Sequence, residues 1–93
     1  MARTVYELQQ VRELLCQRIA EHLDILIGSV STKGPKRTGF NLTFKQGGVT
    51  RTRHIRKADV QKVRRMTARH LKLKGLIHKL SDLNWLILKR QSE

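Results

Sequence analysis

The sequence predicts an α+β protein: an N-terminal helix, a β-hairpin making a small antiparallel sheet, and a long C-terminal helix packed as a helical hairpin or coiled-coil dimer. Three patterns carry this. Apolar residues fall three and four apart from Val5 to Leu26, strict alternation flanks Gly47-Gly48, and a seven-residue apolar repeat runs through the last third. At 93 residues the chain is expected to form a single domain over 1–93. A domain of this size buries only roughly 60–65% of its unfolded surface, so a helical seam, a second copy or a bound polyanion is expected to help hold it.

The first helix is expected over 4–27. Thr4-Val5-Tyr6-Glu7 fits a capping box, with a hydroxyl at the N-cap and Glu three residues on. Val5, Leu8, Val11, Leu15, Ile19, Leu23 and Leu26 then form one apolar face, and Gly28 is the expected stop. The other face carries Glu7, Glu13, Glu21 and Asp24 among Arg12 and Arg18 and reads as solvated surface.

A basic loop and the hairpin are expected over 29–55. Ser29-Val30-Ser31-Thr32 is short and β-branched, and Lys33-Gly34-Pro35-Lys36-Arg37-Thr38-Gly39 reads as a loop that orders only on a ligand. Phe40, Leu42 and Phe44 alternate with polar residues, Gly47-Gly48 suits a type I′ turn, and Val49 to Ile55 returns. A two-residue turn pairs Gln46 with Val49. It sets Phe40, Leu42, Phe44, Arg51, Arg53 and Ile55 on one face and Asn41, Thr43, Lys45, Thr50, Thr52 and His54 on the other.

The long helix is expected over 57–89. No proline interrupts it, and Gly75 is its one weak residue. Val63, His70, Ile77 and Asn84 repeat every seven residues, as do Met66, Leu73, Leu80 and Ile87, which predicts helix against helix. Leu76, Leu83, Trp85, Leu86 and Leu88 widen the apolar surface of its second half, which is expected to be the more buried half.

Charge is the strongest functional signal. The chain has 20 Lys and Arg against 7 Asp and Glu, net +13. The segment from Lys33 to Lys74 holds fourteen of those bases and one acid, Asp59, and so carries the whole net charge. Self-repulsion of this size is destabilising without a polyanion to meet. The residues expected to touch nucleic acid are Lys33, Lys36, Arg37, Lys45, Thr50, Arg51, Thr52, Arg53, Arg56, Lys57, Lys62, Arg65, Arg69 and Lys72, from the loop, the hairpin and a helix stripe. Most such contacts go to phosphates, and a two-stranded ribbon or a helix fits a B-form major groove. Phe40 and Phe44 read as core, which leaves no platform for stacking single-stranded bases and favours duplex DNA or structured RNA.

Other chemistries are poorly supplied. The acids are scattered, and Asp59 reads as a favourable charge at a helix N-terminus rather than a metal ligand. His22, His54, His70 and His78 would have to meet in space to bind an ion, and His70 falls on the seam as an interior imidazole. A single cysteine, Cys16, excludes an internal disulfide and a C-x-x-C zinc site and reads as a boundary or core thiol. Gly34 to Gly39 has P-loop glycine spacing, but Phe40 stands where Lys is required. No enzyme activity, metal or cofactor is expected. Nor is a signal peptide or membrane span, and a cytoplasmic, nucleoid- or ribonucleoprotein-associated location follows.

From Asp24 to Leu88 the chain resembles a family of small uncharacterised prokaryotic helix–hairpin–helix proteins associated with mobile elements. The resemblance rests on Ile25-Leu26-Ile27-Gly28-Ser29-Val30, on Gly47-Gly48 followed by Thr50-Arg51-Thr52, and on Leu76-Ile77-His78-Lys79-Leu80-Ser81-Asp82-Leu83-Asn84. Longer members carry a Cys-rich insert before the hairpin. Here Thr32 to Gly39 replaces it without a cysteine, so that family's metal site does not carry over. The resemblance implies the fold and a mobile-element or phage setting, and supplies no activity.

The expected function is therefore a non-enzymatic nucleic-acid-binding accessory protein. The rival is a protein-interaction module or inhibitor that docks a larger nucleoprotein or enzyme through Trp85, Leu86 and Leu88. Expected partners are nucleic acid, a second copy of the chain, and that larger protein, with no membrane.

Overall fold

The computed structural model describes residues 3–35 and 38–93. The expected contacts Lys36 and Arg37 lie outside the described residues. The chain is an α+β arrangement of helix α1 (Val5–Ala20), strands β1 (Ser29–Thr32), β2 (Phe40–Gln46) and β3 (Val49–Ile55), a 3-10 turn (Lys57–Asp59) and helix α2 (Val60–Gln91). It divides into two compact units, Met1–Leu23 with Leu71–Glu93, and Asp24–His70, so α2 supplies residues to each.

In the first unit, Thr4 caps α1 by accepting from the Glu7 amide at 3.2 Å. The Glu7 carboxylate meets the Thr4 hydroxyl rather than its amide, so half of the expected capping box forms. Leu8 is buried, as are Leu73, Leu76 and Ile87 of α2, and the Arg12 guanidinium donates to Asn84 Oδ1 at 3.1 Å. The seam on α2 is Leu73, Leu76, Leu80, Leu83 and Ile87, spaced three and four apart, all buried or half-buried. One expected column, Leu73-Leu80-Ile87, is therefore correct. Ile77 and Asn84 of the other are exposed, because Leu76 and Leu83, one position earlier, are buried instead. Trp85, Leu86 and Leu88 are also exposed, against the expectation of a more buried second half. Cys16 is exposed too, not a core or boundary thiol.

Helix α1 stops at Ala20, well short of the expected Gly28. The Glu21 amide bonds back to Gln17 and Arg18, and the His22 amide closes a tight last turn on Ile19 O at 2.9 Å. The reason lies in the second unit. There the Leu26 amide donates to Met66 O at 3.3 Å, and its side chain packs against the sheet's core, which a non-helical 23–27 segment permits. Gly28 leads into a strand rather than ending a helix. Its φ is +134°, and a Cβ there would sit 2.5 Å from Thr43 O.

The sheet has the order β1-β2-β3, all antiparallel. The hairpin register is the expected one: Gln46 opposite Val49, Phe44 opposite Arg51, Leu42 opposite Arg53, Phe40 opposite Ile55. Gly47 and Gly48, at φ +59° and +78°, supply the two positive φ angles that a type I′ turn needs. β1 is an additional strand, with Val30 opposite Leu42. The start of α2 covers one sheet face: Leu42, Ile55, Val60 and Val63 are buried together, with Leu26, Val30, Phe40 and Phe44 packed around them. No helix among the described residues is long and apolar enough to cross a membrane.

Candidate nucleic-acid interface

The unit Asp24–His70 holds twelve of the twenty Lys and Arg residues and two acids, a formal charge of +10. Both acids already face arginine. Arg56 Nε donates to Asp59 Oδ2 at 2.8 Å, and Arg69 Nη1 lies 3.7 Å from Asp24 Oδ2. These are exposed pairs of the kind worth about 0–1 kcal/mol, so phosphates can compete for the arginines.

The sheet fixes where its cations go. β3 is an edge strand, exposed along its length except at Ile55. On its apolar side Arg53 lays its guanidinium over the Phe44 ring, 4.8 Å from the centroid, with Arg51 directly opposite Phe44. The Arg53 head thus rests on the ring face, a cation–π contact that guanidinium favours. On the opposite side lie Thr50, Thr52 and, near the hairpin turn, Lys45, all exposed. At the far end of the sheet the Lys33 amide donates to Gly39 O at 3.1 Å, closing the base of the loop and placing Lys33 near Arg56 and Lys57. Lys62, Arg65 and Arg69 are exposed on the first turns of α2, away from the buried Val60 and Val63. The structure thus gathers eleven of the fourteen expected contacts in one unit. Lys36 and Arg37 are not described, and Lys72 belongs to the other unit.

Three contributors escape the sequence reading. Arg64 lies with its guanidinium 6.0 Å from the Phe40 centroid and adds a cation beside the core. Ser29 and Ser31 join the polar sheet face through β1, opposite Thr43 and Asn41. The alternation of Ser29-Val30-Ser31 was the available signal. Among the described residues no group of three or more His, Cys, Asp or Glu is placed to hold a metal ion.

No protein-family model, curated protein or solved structure matches this chain. Its functional reading rests on the charge and geometry of the site itself. Phe40 and Phe44 are half-buried in the core and flanked by arginines, so the unit presents no open aromatic platform among its described residues. The surface offers guanidinium, ammonium and hydroxyl donors, the groups that bind phosphate oxygens.

Proposed function

We propose that this chain is a non-enzymatic nucleic-acid-binding accessory protein, of a mobile element or phage, acting in the cytoplasm on duplex DNA or structured RNA. The observation that carries the reading is the +10 formal charge of the Asp24–His70 segment, whose cations among the described residues lie on and beside an edge strand, a hairpin and a helix stripe. The phosphate backbone supplies most of the affinity in such a complex and makes it salt-dependent. Lys33, Lys45, Arg51, Arg53 and Lys57 lie on or beside the sheet, and among the described residues none forms an ion pair. Arg56, Lys62, Arg65 and Arg69 extend the surface, with Thr50 and Thr52 as neutral donors.

A second reading has its own observation. Trp85 is 61% exposed and Leu88 53%, with Leu86 beside them, an apolar surface suited to a second copy or a larger nucleoprotein or enzyme. The two readings separate by mutation. Arg51→Glu with Arg53→Glu weakens binding of a labelled DNA duplex at least tenfold if the first holds, while Trp85→Asp leaves it within twofold. The reverse pattern would refute nucleic-acid binding as the main activity.

A further inference from the structure

The cationic surface accounts for affinity but reads no sequence. The face of the sheet turned away from α2 is built differently. Across it run two rows of three polar side chains, Ser31–Asn41–His54 and Ser29–Thr43–Thr52, followed by the pair Lys45–Thr50 at the hairpin end. The outer members of these rows are exposed, and Asn41 and Thr43 on the central strand are half-buried. None of the eight is acidic. A face that served only solubility would carry charges of both signs. This one carries one permanent charge, Lys45, and otherwise hydroxyls, an amide and an imidazole.

From these observations we infer that this polar face enters the major groove of B-form DNA and reads base edges, so that the protein recognises a short duplex sequence. The inference rests on the nucleic-acid reading proposed above. The dimensions fit. Two neighbouring strands, here β2 and β3 with axes about 4.8 Å apart, make a ribbon that a groove about 12 Å wide admits. Same-face residues on one strand are about 6.8 Å apart, two base-pair steps of about 3.4 Å. From Asn41 to Lys45 the face covers about four such steps. The chemistry fits as well. A hydroxyl both donates and accepts, an Asn amide matches adenine N6 and N7, and a Lys ammonium matches guanine O6 and N7.

The surroundings match a groove's walls. Lys45 stands at one end of the face and Lys33 and Lys57 at the other, placed to meet phosphates, while Arg51 and Arg53 leave the β3 edge strand on the opposite side of the sheet. Helix α2 offers mainly cations on its exposed stripe, Lys62, Arg65 and Arg69, which suit a backbone rather than bases. An A-form RNA duplex has a deep, narrow major groove that side chains cannot read, so the same face selects DNA.

The test is selection by the full chain from a pool of 30-base-pair DNA duplexes with a randomised centre, followed by sequencing. The expected result is an enriched motif of about four or five base pairs. His54→Ala, on the same face and outside the phosphate-binding set, should cut discrimination at motif positions at least fivefold. Its affinity for the unselected pool should stay within threefold of wild type. If that variant does not fold, Asn41→Ala on the same face takes its place. An RNA duplex of the enriched sequence should bind at least tenfold more weakly.

A pool that is bound without any motif emerging would overturn the inference and leave the phosphate-binding reading intact. So would a motif that survives the face substitutions but is lost in Arg65→Ala with Arg69→Ala, which would make α2 the reader. A pool that is not bound at all would remove the underlying reading as well.

Discussion

Gly28 is the residue on which the third strand depends. A Cβ placed there would lie 2.5 Å from Thr43 O, 3.1 Å from Leu42 Cδ1 and 3.1 Å from Phe44 Cβ, at a φ of +134°. Gly28→Ala therefore meets two separate costs. An L-residue in that backbone conformation is strained by about 1–3 kcal/mol. The clash is with a backbone carbonyl of the central strand, which cannot swing aside as a side-chain tip can. Relieving it displaces β1 where Ser29 pairs with Thr43, and each ladder hydrogen bond lost costs about 1 kcal/mol more. The sum is about 2–4 kcal/mol, a large fraction of the stability of a small domain. Chemical denaturation of wild type and variant measures it. In a thermal melt the same loss appears as a drop of roughly 10–30 °C. A variant within about 0.5 kcal/mol of wild type, the range of an ordinary surface substitution, would show that Gly28 does not approach the central strand and would refute β1 as placed.

Single residues elsewhere in the fold make three more predictions. Gly75 is a helical glycine with nothing within 4 Å of where a methyl group would stand, so Gly75→Ala should stabilise the protein by about 0.5–1 kcal/mol, and a loss in denaturant midpoint would contradict an open site. Leu42 is 4% exposed at the centre of the sheet's core, so Leu42→Ala should cost about 2–5 kcal/mol by equilibrium unfolding, and a cost under about 1 kcal/mol would mean that Val60 and Val63 do not pack on it. Cys16 is exposed and is the chain's one cysteine, so an aromatic disulfide reagent should titrate one thiol in the native protein without denaturant, and a thiol reached only after unfolding would place it inside.

The hairpin was readable to the residue because two local signals agree there. A period of two and a pair of glycines able to take positive φ leave one register that keeps Phe40, Leu42 and Phe44 on the core side. The end of α1 was not readable, since Leu23 and Leu26 continue the helical spacing by coincidence. What ends the helix is a distant bond, Leu26 to Met66, with the pull of the sheet's core on Leu26. β1 escaped for a related reason. Four residues carry little pattern of their own, and their pairing depends on a partner strand that begins eight residues later. On α2 the repeat of seven was visible, but only the position of α1's side chains decides between Leu76 and Ile77 as the inward residue.

The candidate site divides the same way. Its charge is a property of composition and was plain. The placing of Arg51 and Arg53 on the apolar side and Thr50 and Thr52 on the polar side followed from the register. That the polar side extends onto Ser29 and Ser31 required the third strand.

The most direct measurement is the affinity of the full chain for a 20-base-pair DNA duplex across a salt series. The five cations on and beside the sheet, each neutralising one phosphate, give a slope of log K against log salt of at least about −4.5, steeper with each helix cation that joins them. Steep weakening of that order is expected, with the slope reduced by about 0.9 for each of Arg51 and Arg53 replaced by Ala. Binding that is absent at low salt, or present with a slope near zero, would contradict the phosphate-binding reading and leave the exposed Trp85–Leu88 surface as the working part of the molecule.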